Sequence, residues 1–325
     1  MTDIRRIAVL TSGGDSPGMN AAVRAVVRAA DAGGLSCIGV SDGYRGMING
    51  QMKPLDARHV SGIIQLGGTV LGTARSDRFR TEEGRAVAAT NLRNAGVDAV
   101  VVIGGDGSMH GAQLLSVEHG IATVGIPGTI DNDLSGTDFT LGFDTAVNTA
   151  LEAIDKIRDT AASHRRLFFI EVMGRQAGWI ALYSGLAGGA TAVLVPEMQW
   201  DEGQIRAKAL ESFALGKRFC IVVVAEGDIA GGAYGVAQRV CKDTELDYRV
   251  STLGHMQRGG SPTMRDRVLG ARLGDAAVEA LLDGEDRIMV GERRLEIVRT
   301  SLESSYTDED RDFVGLLTLM DRLAR

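Results

Sequence analysis

The chain has 325 residues, 44% hydrophobic and 24% charged, and 35 Lys and Arg against 42 Asp and Glu leave a formal net charge of −7. That length suits two domains of roughly 100–200 residues, each with apolar material for its own core, while 43 Gly and only 5 Pro describe a compact fold with many tight turns rather than a disordered chain. The acidic balance argues against a general nucleic-acid binder, which carries a basic excess, but not against a small anion held by local arginines.

The first residues, MTDIRRIAVL, run almost directly into a strand-like segment, with no signal-peptide pattern and no apolar run long enough to span a bilayer. The expectation is a cytoplasmic protein without membrane contact. One grammar then repeats: a short apolar run ends in a glycine-rich turn, and a helical pattern follows. Ile7–Leu10 leads to TSGGDSPGMN and AAVRAVVRAA. Ala99–Ile103 leads to GGDGSMHG and a helix from Ala112. Thr123–Ile126 leads to PGTIDND, and Leu167–Val172 to MGRQAGW and IALYSGLAGG. Ala192–Val195 stops at Pro196 and Glu197, and Cys220–Ala225 leads to EGD. This alternation predicts parallel βαβ units. Runs such as AVVVI and IVVVA are continuously apolar, as strands buried on both faces are. The charged stretch from Gly291, GERRLEIVRTSLESSYTDEDRD, reads as surface before a last helix, Phe313–Leu323. Cys37, Cys220 and Cys241 show no CxxC spacing and no companion His cluster, so they read as buried or free thiols of a reducing compartment.

Ligands of open α/β sheets bind beyond the carboxyl ends of the strands, so the loops should gather on one rim. The first, Gly13 to Asn20, joins a strand to a helix with glycines that allow close backbone approach and free N–H groups that suit an anion. It is neither a Walker A loop nor GxGxxG, and alone it reads equally as a tight turn. In the second, Gly104 to Ser108, a carboxylate beside a phosphate site makes sense only with a cation between them. Asp106 is thus a magnesium anchor or simply a helix cap. The third, Pro127 to Asp133, sets Asp131 and Asp133 two residues apart. Paired with Asp106, one carboxylate holds metal while another accepts a hydroxyl proton; an exposed Asp/Asn turn is the plainer reading. The fourth group is cationic: Arg166, Arg175, Arg249, and His255, Gln257 and Arg258 of GHMQRGG, with Glu226 ending a strand. Arg offers a planar fork for phosphate.

Taken together, TSGGDSPGMN, GGTVLGTAR, VVIGGDGS, PGTIDND, EVMGRQAG, VVVAEG and LGHMQRGGSP run in the order seen in bacterial ATP-dependent 6-phosphofructokinases, which the chain resembles over nearly its whole length. The resemblance implies two Rossmann-like three-layer α/β/α domains with mostly parallel sheets and an active site in the cleft between them. An ATP-binding domain would comprise 1–141 and 256–308, and a fructose 6-phosphate-binding domain 142–255 and 309–325. It also implies phosphoryl transfer from ATP to the sugar's 1-hydroxyl. Gly14, Arg75, Ser76, Gly105, Asp106, Gly107 and Ser108 would hold ATP, with Asp106 the Mg²⁺ ligand and Asp133 a second acid near the metal. Asp131 would be the base, with Thr129 beside the transferring phosphoryl group and Arg175 stabilising its charge. Thr129, Ile130, Asp131, Met173, Gly174, Arg175, Glu226, His255, Met256, Gln257 and Arg258 would line the sugar site. Arg166 and Arg249 would reach the 6-phosphate of a neighbouring subunit in a homotetramer.

Pyrophosphate-using relatives place Asp where this chain has Gly107 and Lys where it has Gly128, so small residues at both positions favour ATP. The competing functions are a pyrophosphate-dependent relative, a NAD kinase sharing the GGDG loop, and a silent nucleotide sensor. For an ADP or phosphoenolpyruvate effector, Arg24, Arg28, Arg158 and Lys217 match the family's basic positions. Ala57, Gly62, Thr191 and Leu215 stand where Arg, Asp, a metal-binding Glu and Lys are usual, which points to weak or altered ADP activation.

Overall fold

The computed structural model describes residues 4–161, 163, 166–227, 230–306 and 313–323. The chain folds as two compact units, Met1–Thr145 with Arg258–Glu309 and Ala146–Gln257 with Asp310–Arg325. The domain boundary expected at 308–309 lies outside the described residues.

The first unit runs through β1 (Arg6–Thr11), α1 (Met19–Ala32), β2 (Ser36–Val40), α2 (Gly43–Ile48), β3 (Met52–Leu55), α3 (Glu82–Asn94), β4 (Ala99–Gly104), α4 (Asp106–His119) and β5 (Ala122–Pro127). The unit boundary falls inside α5 (Phe143–Ala161). The second unit carries β6 (Arg166–Val172), α6 (Trp179–Ala187), β7 (Ala192–Leu194), α7 (Glu202–Ala214), β8 (Phe219–Ala225), α8 (Gly232–Cys241) and β9 (Tyr248–Thr252). The chain re-enters the first unit with α9 (Met264–Leu282), β10 (Ile288–Arg293), β11 (Glu296–Ser301) and α10 (Leu302–Ser305). The last helix, α11 (Phe313–Leu323), belongs to the second unit.

The first sheet has the order β11-β10-β5-β4-β1-β2-β3. Its five inner strands are parallel, and only the two edges, β3 and β11, are antiparallel. Alternate residues feed two cores. Ile7, Val9, Ala99, Val101 and Ile103 pack with α1 and α9, while Ala8, Leu10, Val100 and Val102 pack with α2, α3 and α4. This is why no polar alternation is visible in AVVVI. α9 lies close against α1, and a Cβ at Gly274 would stand 2.5 Å from that of Ala25. The second sheet, β7-β8-β6-β9, is wholly parallel. The α/β class expected from the sequence holds in both units. All three cysteines are buried, and burial pushes Cys37 up to about 12 and Cys241 up to about 11, so their thiols stay protonated and weakly reactive.

Two expectations are corrected. GGDGSMHG is not a loop before a helix at Ala112, because α4 starts at Asp106. Its glycines read as turn residues, yet Gly111 is a packing requirement: a Cβ there would lie 3.0 Å from the ring of Tyr44 and 3.1 Å from that of Phe79. The stretch from Gly291 is not mere surface either; it completes β10 and supplies β11. Glu292 is buried there, paired with Arg272. The connecting residues Arg294 and Leu295 both have positive φ, 51° and 69°, as a two-residue hairpin of the I′ kind requires. Neither is Gly, Asn or Asp, so the usual hairpin signal is missing. Leu295 is 72% exposed and gains little from packing. Leu295→Gly should therefore relieve strain and stabilise the fold by about 1 kcal/mol, seen as a later urea midpoint. An unchanged or earlier midpoint would show that the turn stores no strain.

Candidate functional site

In the first unit the chain leaves β1 for β2 on one side and later returns to β4 on the other, so adjacent strands β1 and β4 send their following segments apart. That is the switch point at which α/β sheets bind ligands. Ser12 N–H donates to Ile103 O (2.9 Å), tying the two tips together. The following helices, α1 and α4, start at Gly18 and Gly105, and neither N-cap residue gives a side-chain cap hydrogen bond. By contrast, α3, α7 and α9 begin with Thr81, Asp201 and Thr263, whose side chains accept from Gly84, Gln204 and Asp266 N–H. Two neighbouring helix starts without such caps present first-turn amides and positive dipole ends at one sheet tip, which suits a polyanion.

Around that tip the expected nucleotide residues converge. A Cβ at Gly13 would lie 3.5 Å from Ser108 Oγ, and one at Gly14 would lie 2.6 Å from Arg258 Nη1. Arg258 donates to Asp15 O (3.1 Å), so its guanidinium lies over the first loop. The segment bearing Arg75 and Ser76 is held at both ends. Thr73 Oγ1 donates to Gly13 O (2.7 Å), and Phe79 stacks on Tyr44 with centroids 3.8 Å apart, while Tyr44 donates to Ser108 O (2.6 Å). Burial raises the Tyr44 pKa, keeping it a neutral donor. Asp106 and Gly107 are exposed at the start of α4, and a Cβ at Gly107 would meet nothing within 4 Å.

The third loop is fastened beside the second. Gly128 N–H donates to Gly104 O (2.8 Å), and a Cβ on Gly105 would stand 3.5 Å from Thr129 Cβ. Thr129, Ile130 and Asp131 are buried, 8%, 0% and 2% exposed; Asp133 is exposed. The loop has its own scaffold: Asp131 N–H donates to Thr129 Oγ1 (3.1 Å), Thr140 Oγ1 to Thr129 O (2.6 Å) and Thr140 N–H to Asn132 Oδ1 (2.9 Å). The strand tip thus carries an exposed carboxylate at a helix start and a buried carboxylate on the next loop. Among the described residues no group of three His, Cys, Asp or Glu would hold a metal ion by itself. Asp106 fits instead a hard cation that arrives with phosphate oxygens and keeps its waters.

In the second unit the expected sugar residues sit at the carboxyl ends of parallel strands: Met173, Gly174 and Arg175 after β6, Glu226 after β8, His255 and Met256 after β9. Arg175 is exposed and held at φ 52°, its N–H donating to Glu226 Oε1 (3.2 Å). A Cβ at Gly227 would press to 2.1 Å from Arg175 O. Gln257 is fully buried and donates to Gly254 O (3.2 Å), bracing the turn that carries His255. Arg166 and Arg249 lie at the other, amino edge of this sheet, both paired with Asp247 (2.7 and 2.6 Å). Hydrogen bonding from Arg166 holds the Asp247 carboxyl below its usual range. Of the expected effector residues, Arg24 and Arg28 share α1 one turn apart, Arg158 stacks on Phe219 at 5.6 Å, and Lys217 is exposed. Thr191 is buried, and Leu215 is 72% exposed.

Sequence reasoning passed over Tyr44, Thr73, Arg85, Thr140 and Asp266. Only Thr73 and Asp266 lie within or beside a recognised motif; the rest act through hydrogen bonds and contacts to residues distant in sequence, which spacing does not encode.

Comparison with protein families matches phosphofructokinase over residues 6–281. The chain is 58% identical to ATP-dependent 6-phosphofructokinase 1 of Thermus thermophilus, over 99% of this chain and 100% of that one. It is 48% identical to ATP-dependent 6-phosphofructokinase 2 of Bacteroides thetaiotaomicron, over 98% of each. Among solved structures it is similar to phosphofructokinase from Saccharomyces cerevisiae, with TM-score 0.86 at 37% identity, covering 97% of this chain and 46% of the longer yeast chain.

The segment bearing Arg75 and Ser76 is also braced by an ion pair between buried Arg85 and the more exposed Glu118. Arg85 donates twice to Glu118 (2.6 Å each) and to Phe79 O and Arg80 O (3.1 and 2.7 Å). That hydrogen bonding lowers the Glu118 pKa. Arg85→Met should cost about 1–3 kcal/mol, because the Phe79 and Arg80 carbonyls lose their donor. Glu118→Leu should cost less than about 1 kcal/mol in urea unfolding, since Glu118 is the exposed partner. Equal losses in the two single variants would place the cost in the ion pair itself.

Proposed function

This chain belongs to the phosphofructokinase family, and from that premise we propose that it moves the γ-phosphoryl group of ATP to the 1-hydroxyl of fructose 6-phosphate, giving fructose 1,6-bisphosphate and ADP. The observation that carries the reading is the junction of Gly104 and Gly128. It sets the start of α4, with exposed Asp106, beside the loop bearing buried Asp131, at the tip of β1 and β4.

In this reading the amides at the starts of α1 and α4, with Arg75 and Ser76, bind and orient the triphosphate. Asp106 would hold Mg²⁺, which would supply positive charge against the phosphates. Asp131 accepts the 1-hydroxyl proton as that oxygen bonds to the γ-phosphorus and the bond to the β-bridging oxygen breaks, releasing ADP. Thr129 steadies the Asp131 backbone, and Arg175 offsets charge on the equatorial oxygens. Glu226, His255, Met256 and Arg258 bind the sugar phosphate, together with the backbone at Met173 and Gly174. Gln257 acts from beneath.

Arg166 stands about 20 Å and Arg249 about 10 Å of strand away from the carboxyl ends of their strands, which supports their service to a neighbouring subunit in a homotetramer. Arg24, Arg28, Arg158 and Lys217 keep basic effector positions while Ala57, Gly62, Thr191 and Leu215 depart from the family's residues, which supports altered or weak ADP activation in a cytoplasmic enzyme.

The direct test is ADP release dependent on fructose 6-phosphate, followed by a coupled assay with ATP and, in parallel, product formation with pyrophosphate as donor. Product with ATP is expected; product with pyrophosphate alone would overturn the donor assignment. Asp131→Ser should cut kcat by roughly 10²–10⁴-fold, the range of a lost general base, and change KM for fructose 6-phosphate far less. A collapse of affinity with kcat intact would remove Asp131 from that role. Gly107→Asp places a carboxylate in the open space at the start of α4 and should lower kcat/KM for ATP by at least about tenfold, near 1.4 kcal/mol. Unchanged ATP kinetics would mean that this space is not where the phosphates lie.

A further inference from the structure

We propose that Asp266 is a positioning residue for this reaction: its buried carboxylate clasps the segment that returns past the Thr129–Asp131 loop and so sets where that loop stands. The proposal rests on the functional reading above.

Asp266 lies in the first turn of α9 and is 1% exposed. It is not needed to cap that helix, because Thr263 Oγ1 accepts from Asp266 N–H (3.3 Å). Its carboxylate turns instead to another part of the chain. Oδ1 accepts from Gly142 N–H (2.9 Å), and Oδ2 accepts from both Thr145 N–H (2.9 Å) and Thr145 Oγ1 (2.5 Å). The clasp is doubled, for Thr263 N–H donates to Thr145 Oγ1 (3.0 Å) and Thr263 Oγ1 to Asp144 Oδ2 (2.7 Å).

What is clasped is the segment that builds the reactive loop. Leu141 N–H donates to Pro127 O (2.9 Å) and Leu141 bridges Gly128 in parallel register. One residue earlier, Thr140 holds Thr129 O and Asn132 Oδ1. On its other side the Cβ and backbone of Asp266 lie close to the end of the first phosphate loop. A Cβ on Gly18, the αL start of α1, would lie 3.3 Å from Asp266 Cβ, and one on Gly142 would lie 2.6 Å from Ser16 Cβ. One side chain therefore spaces the anion-facing start of α1 from the segment that carries Thr129 and Asp131.

The chemistry requires a carboxylate. Three donors converge on its two oxygens, and an amide of the same shape would turn an NH₂ group toward one of them. Burial works against the ionised form, pushing the Asp266 pKa up to about 6 despite hydrogen bonds from Thr145 and Gly142, with Asp144 adding a like charge. A merely space-filling position would be better served by an apolar residue.

The test compares Thr145→Val, which removes the hydroxyl donor at nearly constant shape, with Thr145→Ser, which keeps it, and with Asp266→Asn. Each full-length enzyme is assayed for kcat and both KM values, with the folded fraction fixed by urea unfolding. The expected pattern is a kcat about tenfold lower in Thr145→Val, near wild type in Thr145→Ser and lowest in Asp266→Asn, with KM for fructose 6-phosphate changed less than about threefold. Should Asp266→Asn fail to fold, the Val and Ser pair decides alone. Equal kcat per folded molecule in those two, with only the urea midpoint moved, would overturn the positioning role and leave the functional reading intact. If the wild type itself makes no product from fructose 6-phosphate, the functional reading falls and the proposal with it.

Discussion

The parallel pairing of β1 with β4 is the constraint from which the rest of the first unit follows. Because these neighbours hand their chains to opposite sides, their tips are the one place on this sheet where two helix starts can stand side by side without a crossing connection. The backbone bonds from Ser12 to Ile103 and from Gly128 to Gly104 then fix three loops in register. None of this needs a particular side chain at the tip, which frees those positions for glycine and for the groups that act on a ligand.

Holding such loops still is the work of charged groups set behind them. Arg85, Glu292 and Asp266 are buried, with Glu118 and Arg272 reaching in from more exposed positions, and Arg85, Arg272 and Asp266 each bind backbone groups as well. Buried ionic groups are weak contributors to net stability because desolvation offsets their attraction. Their value here is geometric. An apolar contact can slide, whereas a carboxylate accepting from Gly142 and Thr145 admits one arrangement of that segment.

The class of fold was legible because fully buried parallel strands write themselves as unbroken apolar runs, and glycine-rich segments at their ends mark the rim. The candidate ligand residues were picked out by motifs, since anion binding by backbone demands glycine at set places. What was illegible shares one cause: a residue can have more than one physical reason to be where it is. Gly111 looked like a loop residue but is a packing residue under Tyr44 and Phe79. The hairpin at Arg294 and Leu295 breaks the turn rules, so its two strands hid in a charged sequence. Gln257 sits in a binding motif yet is wholly buried beneath it. Arg85 and Asp266 act on residues distant in sequence, and no local pattern announces such a partner.

The two units apply one rule with different local means. In the first, the proposed ligand-facing groups are mostly backbone amides at helix starts that lack side-chain caps, where a phosphate accepts hydrogen bonds. In the second, Arg175 is set in a left-handed conformation that costs of order 1 kcal/mol for a residue with a Cβ, steadied by Glu226 and by the close approach of Gly227. Both arrangements leave the protein less stable than it would be with side-chain caps and relaxed turns. Neither is confined to these places: α2, α6 and α8 also start without a side-chain cap, and Asp243, Arg287, Arg294 and Leu295 also take positive φ. At the tip of β1 and β4 two such helix starts follow neighbouring strands at the switch point of the sheet, where helix amides can bind an anion.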